Sequence, residues 1–159
     1  MKKFILSMAV ALLGVCAYAQ QGQVAAGLNF SYTPMIESGV DVNNFGLSAK
    51  FQYSFSKVFR TELLTGFDFK DHDLAVFHAS ENFHFLIRPT ENLKVYPIVG
   101  VGYALVIINS ESMSYCLING GLGAEYDITS HLTAGVEVKY QYIKYFNRLP
   151  ISLGVSYRF

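Results

Sequence analysis

From residue 22 to the end of the chain, apolar and polar positions alternate with a period of two, in run after run. The last run shows it most simply: Ile151, Leu153, Val155, Tyr157 and Phe159 alternate with Ser152, Gly154, Ser156 and Arg158. Successive side chains of a strand point to opposite faces, so each run predicts a strand with one apolar and one polar face. Seven further runs carry the same signal, at 24–32, 44–55, 59–70, 77–88, 93–107, 118–126 and 132–142. Turn-forming clusters separate them. The polar faces hold Lys50, Arg60, Glu62, Asp68, Lys70, Lys94, Glu125, Glu137, Lys139 and Arg158. Glu81 is the one misfit, a charge on the apolar phase of the fourth run.

Eight strands in succession predict an all-β fold, and the apolar phase decides which kind. Phe and Tyr gather toward the ends of the apolar faces, as interfacial girdles do. The charges of the polar faces are of both signs, so they can neutralise one another inside a narrow barrel, where buried ions need partners. Each run is long enough for a tilted strand of ~9–11 residues to cross a bilayer. The expectation is an eight-stranded antiparallel up-and-down transmembrane barrel with a polar, plugged interior, closed by the last strand against residues 22–32. A soluble sandwich or a lipocalin-like barrel would also alternate, with the apolar face inside. The chain has no Trp, which a lipocalin commonly keeps at its base. A soluble sheet would also gain nothing from a terminal Phe on an apolar stripe.

Composition sharpens this. The chain is 52% hydrophobic with a mean hydropathy of +0.28. Past the first 19 residues no apolar stretch reaches 18 residues. Hydrophobicity spread evenly by alternation suits a membrane barrel and not a helical span. At the N-terminus, Lys2 and Lys3 precede an apolar run from Phe4 to Val15, and Ala17-Tyr18-Ala19 fits a small-x-small cleavage site. Residues 1–19 therefore read as a signal peptide and 20–159 as one barrel domain. The rival, lipoprotein processing at Cys16, is disfavoured by Val15, where a small side chain is wanted. The mature chain keeps ten cations against twelve acids, a net charge of −2, with no basic patch for nucleic acid. Only Cys116 remains, so no internal disulfide is expected.

The connections around 55–58, 88–92 and 127–131 are tight and suit the periplasmic side. Those at 33–42, 71–73, 109–114 and 145–148 fall on the other side as short extracellular loops.

Several tracts carry a family resemblance. Val95-Tyr96-Pro97-Ile98-Val99-Gly100-Val101-Gly102-Tyr103 looks like the central strand of small porin-family barrels. Gly120-Gly121-Leu122-Gly123-Ala124-Glu125-Tyr126-Asp127-Ile128 resembles the glycine-rich strand after it, and Val136-Glu137-Val138-Lys139-Tyr140-Gln141-Tyr142 the penultimate strand. Tyr157-Arg158-Phe159 matches the terminal signal read by the barrel-assembly machinery of Gram-negative bacteria. Ala19-Gln20-Gln21 resembles the signal end of exported Bacteroidetes-type proteins. The whole mature chain is thus similar to outer-membrane-protein-A-like eight-stranded barrels. The resemblance implies residence in the cell outer membrane and contact with its lipid and lipopolysaccharide. It also implies handling by the assembly machinery and periplasmic chaperones, and existence as a monomer. Family members that grip peptidoglycan carry a second domain after the barrel, and this chain stops at the last strand.

For function the residues offer less. Gly100, Gly102, Gly121 and Gly123 share the inner phase of neighbouring strands; they read as space for bulky neighbours such as Tyr96, or more sharply as a narrow solute path. His78-Ala79-Ser80 has the His-x-Ser spacing of some outer-membrane lipases, yet both residues take the inner phase, away from lipid. Asp71-His72-Asp73 reads as a solvated turn in preference to a metal site, and His78 and His84 stand ~20 Å apart along one strand. No catalytic residue, metal site or cofactor is expected. The functional expectation is a structural or surface-interaction barrel serving membrane integrity, adhesion or host-factor binding. The alternative is a narrow solute channel or a lipid-modifying enzyme.

Overall fold

The computed structural model describes residues 22–34, 36, 43–71, 74–108, 111–144 and 146–159. The segment expected to be a signal peptide, residues 35 and 37–42 of the loop expected at 33–42, and His72 and Asp73 of the Asp-His-Asp turn lie outside the described residues. Within them the alternating runs become strands β1 (Gln23–Pro34), β2 (Asn43–Ser54), β3 (Phe59–Asp71), β4 (Leu74–Phe85), β5 (Leu93–Ile108), β6 (Glu111–Asp127), β7 (Leu132–Ile143), β8 (Phe146–Arg148) and β9 (Ile151–Arg158). Each pairs antiparallel with its neighbours, from Gln23↔Ser54 between β1 and β2 through Leu132↔Tyr157 between β7 and β9. The sheet closes where β9 returns to β1, with Ala25↔Arg158 and Tyr32↔Ile151. The result is a closed antiparallel barrel of eight staves.

The eighth stave is made of two strands. Pro150 has no N–H to give the ladder, so β8 and β9 are separated at Leu149 and Pro150. The stave stays paired through the break, because Lys139 N–H donates to the Pro150 carbonyl and Leu149 N–H to that of Pro34. This corrects the loop expected at 145–148: Phe146–Arg148 pairs with Gln141–Ile143. A second correction concerns 109–114. β5 runs to Ile108 and β6 begins at Glu111, so residues 111–114 are paired strand where a loop was expected, and 109–110 lie outside the described residues. The β6–β7 ladder runs from Asp127↔Thr133 up to Leu117↔Ile143, so Glu111–Cys116 prolongs the β5–β6 hairpin past its end.

The three short turns at the opposite rim share one device. Ser56 Oγ accepts from the N–H groups of Val58 and Phe59, Thr90 Oγ1 from Leu93, and Thr129 Oγ1 from His131 and Leu132. A hydroxyl that accepts from backbone N–H groups two or three residues on stands in for a ladder partner and fixes the reversal.

Outer positions are apolar and exposed: Leu28, Val99, Leu122 and Leu153 around the waist. Aromatics form two belts, with Phe59, Phe85, Tyr126 and Tyr157 near the short turns and Phe45, Phe67, Phe77 and Tyr142 toward the other rim. The conventional core is small. Val76, Ala104, Val106, Leu117 and Ile143 cluster toward the long-hairpin rim, and Leu86, Tyr96 and Ile98 near the short turns. What fills the space between is polar.

Candidate functional site

The inner phase of every stave delivers its polar side chains to one lumen, where they pair in three tiers. Nearest the short turns, Arg60 on β3 donates to both oxygens of Glu125 on β6, each at 2.8 Å. Lys94 on β5 lies 3.3 Å from Glu125 and donates to Asp127 at 2.7 Å. Arg158 on β9 also donates to Asp127, at 2.7 Å, and Thr133 Oγ1 does so at 2.9 Å. The inward phase of the last run puts Arg158 at the periplasmic end of the lumen, where the sequence offers acids such as Glu125 or Glu137; the acid it reaches is Asp127. Asp127 is the last residue of β6, on the same inner phase as Glu125 and nearer the rim that Arg158 occupies. The sequence alone puts it in a turn, which hides this role.

The middle tier centres on two carboxylates. Glu62, wholly buried, accepts from Gln52 Nε2 at 2.8 Å and Asn82 Nδ2 at 3.2 Å. Asn119 Nδ2 in turn donates to Asn82. Glu137 accepts from Lys139 Nζ at 2.9 Å and Tyr96 Oη at 3.0 Å, with Lys50 Nζ at 3.9 Å. Tyr96, 1% exposed, is the largest apolar body in the lumen. Its ring stacks on His84 with centroids 4.7 Å apart and lies under the Arg60 guanidinium. Gly123 is what admits it, since a Cβ there would overlap the Tyr96 ring. The glycines on this face make room for neighbours, as the first of their two readings has it: a Cβ on Gly100 would likewise strike Asn82.

The third tier lies toward the long-hairpin rim. Arg148 on β8 pairs with Asp68 on β3 and donates to Gln141 on β7. Sequence reasoning places Arg148 in a loop and misses it. The signal that could have found it is the even phase it shares with Ser152 and Ser156 across Pro150. Lys50, Arg60, Glu62, Asp68, Lys94, Glu125, Glu137, Lys139 and Arg158 thus all take the inner phase and are divided among these tiers, while the Lys70 side chain lies outside what is described. Two voids among these groups have volumes of about 20 and 10 Å³, each on the order of one water.

His78 and Ser80 both point into this lumen and are buried. Among the described residues no group of three or more His, Cys, Asp or Glu could hold a metal ion. Tyr157 and Phe159, expected from the sequence to form a terminal assembly signal, stay on the outer face. Their rings meet edge to face at 5.3 Å, and Phe159 N–H donates to the Val24 carbonyl.

Comparison with known proteins agrees with this construction. No curated protein matches the chain. Among solved structures, Ail, the attachment invasion locus protein of Yersinia pestis, is 18% identical, with a TM-score of 0.61 over 87% of this chain and 97% of that one. The N-terminal β-barrel domain of Pseudomonas aeruginosa OprF is 19% identical, with a TM-score of 0.65 over 87% of this chain and all of that one. A major outer membrane protein of Thermus thermophilus is 12% identical at a TM-score of 0.70, over 88% of this chain and 100% of that one. At such identities the likeness is one of fold. The family model for the outer membrane protein beta-barrel domain matches residues 5–159. The chain belongs to that family, and its place is the outer membrane.

Proposed function

We propose that this protein acts through its rims and its outer wall, as a structural or surface-interaction barrel, and not by passing solute through its lumen. The observation that carries this reading is the filled lumen. Three tiers of paired side chains cross it, Tyr96 stands in the middle, and the apolar cluster of Val76, Ala104, Val106, Leu117 and Ile143 lies toward one end. Opening a path would separate buried, hydrogen-bonded ion pairs and move Tyr96 out of its stack with His84.

With the short turns toward the periplasm, the extended β5–β6 hairpin is the feature that stands out from the cell. Ail, one of the similar structures, is named for attachment, which supports surface interaction as the direction to test. A lipid-modifying activity gains no support from His78 and Ser80, which face away from lipid. The test is a deletion strain assayed in parallel for envelope permeability to a large antibiotic, for attachment to host cells and for uptake of small solutes. Complementation uses the wild type and a variant with Glu111–Ser114 replaced by a Gly-Ser turn. Loss of permeability control or attachment, with the hairpin variant separating the two, agrees with the proposal. A defect confined to solute uptake, or to lipid A acylation, contradicts it.

A further inference from the structure

The charge that broke the alternation sits on the outer wall. In β4, His78, Ser80, Asn82 and His84 point inward and are buried, whereas Phe77, Phe83 and Phe85 point outward. Glu81 takes the outward phase between Ala79 and Phe83 and is exposed. It lies four residues from the short-turn end of β4 and seven from the other, about 13 Å and 23 Å along the strand. That places it between the two aromatic belts. Among the described residues it is the only charged side chain on the outer phase there. One oxygen accepts from Thr61 Oγ1 at 2.6 Å; the other has no hydrogen bond among the described residues.

A carboxylate facing hydrocarbon is unfavourable and marks a functional surface by default. What can meet it follows from symmetry and from the neighbouring strand. Glu81 is opposite Val101 in the β4–β5 ladder, and Ala79 is opposite Tyr103. Tyr103 is therefore the diagonal neighbour of Glu81 on the same outer face. It is 49% exposed, and its hydroxyl has no partner among the described residues. The small Ala79 beside it leaves the ring open to approach. Every copy enters the membrane in one orientation, so a pair of copies relates by a two-fold axis along the membrane normal. Such a contact is isologous: whatever β4 of one copy meets on β5 of the other is met in return. An axis between β4 and β5 sets each Tyr103 hydroxyl against the partner's Glu81 carboxylate, twice, and keeps the two carboxylates apart.

We propose that Glu81 and Tyr103 form the polar centre of a homodimer contact within the membrane, with β4 and β5 of one copy against β5 and β4 of a second. This replaces the monomer implied by family resemblance and goes beyond the proposed function. The test is cysteine cross-linking of the full chain in native membranes, in a Cys116→Ser background. Ala79→Cys lies beside the axis, and Val155→Cys on β9 lies on the far side of the barrel. Copper-phenanthroline oxidation should give a band of twice the monomer mass for Ala79→Cys and none for Val155→Cys. Adding Glu81→Leu, or separately Tyr103→Phe, should lower the dimer band at least fivefold. Heat-modifiable mobility reports that each variant is folded, and Tyr103→Phe keeps the ring should Glu81→Leu fail to fold. Equal cross-linking at the two positions, an adduct of another mass, or a dimer band indifferent to both variants overturns the proposal.

Discussion

Removing Glu125 is the sharpest probe of the lumen. Arg60 is 5% exposed and Glu125 6%, and two hydrogen bonds of 2.8 Å join them. Once Glu125 becomes Gln or Leu, Lys94 still has Asp127 at 2.7 Å. Arg60 does not fare as well: it keeps only the His84 Nδ1 contact at 3.1 Å and the face of Tyr96. A buried cation left without its partner costs about 3–5 kcal/mol, roughly two to three and a half decades in the folding equilibrium. Replacing both members by apolar groups of similar volume, Arg60→Met with Glu125→Leu, removes both charges at once and is often neutral. The double variant should therefore recover most of what either single variant loses. Reversible urea titration of the barrel in lipid vesicles, read by heat-modifiable mobility, measures all three. Single variants within about 1 kcal/mol of wild type would mean that lumenal water screens the pair, and strictly additive costs would mean that Arg60 and Glu125 do not depend on one another. Either result would show that Arg60 and Glu125 are not a buried, mutually dependent pair.

Other expectations follow from the same geometry. Gly123→Val drives a side chain into the Tyr96 ring and should destabilise the barrel by about 1–3 kcal/mol in the same titration; an unchanged midpoint would show that Tyr96 can move aside. Arg148→Met leaves the Asp68 carboxylate buried beside Gln141 and should cost about as much as losing Glu125, with Arg148→Lys recovering only part, because a single ammonium cannot hold Asp68 and Gln141 in the same forked geometry. A full recovery by Lys in that titration would show that charge alone matters there. Deleting Phe159 removes one backbone bond to Val24 and an outer aromatic. It should reduce the assembled fraction in cells severalfold while leaving spontaneous folding into vesicles within about twofold; equal losses in both would make the terminal Phe a stability element instead of an assembly signal.

The staves were legible because lipid and lumen face opposite sides of every strand, so the solvent changes at each residue and the sequence must alternate. The partners in the lumen were not legible in the same way. Arg60 and Glu125 are 65 positions apart, and Arg148 and Asp68 are 80 apart. Which cation reaches which acid depends on the tilt of the staves and the registers summed between them, and no local pattern encodes that. Pro150 obscured Arg148 by interrupting a ladder that resumes on both sides of it. The extended β5–β6 hairpin was misread because Glu111–Ser114 has the polar, small-residue composition of a loop; pairing with β5 orders it regardless. Glu81 was visible as an exception from the start, and only the register with β5 gave it a neighbour.

The lumen of this barrel is closed by its own side chains. The direct measurement is the conductance of the purified, folded barrel in a planar bilayer, in molar salt at both polarities. No step above the bare-bilayer background is expected, with conductance appearing only when Tyr96 and Arg148 are both replaced by Ala. A steady, ohmic, ion-selective conductance in the wild type would contradict the claim.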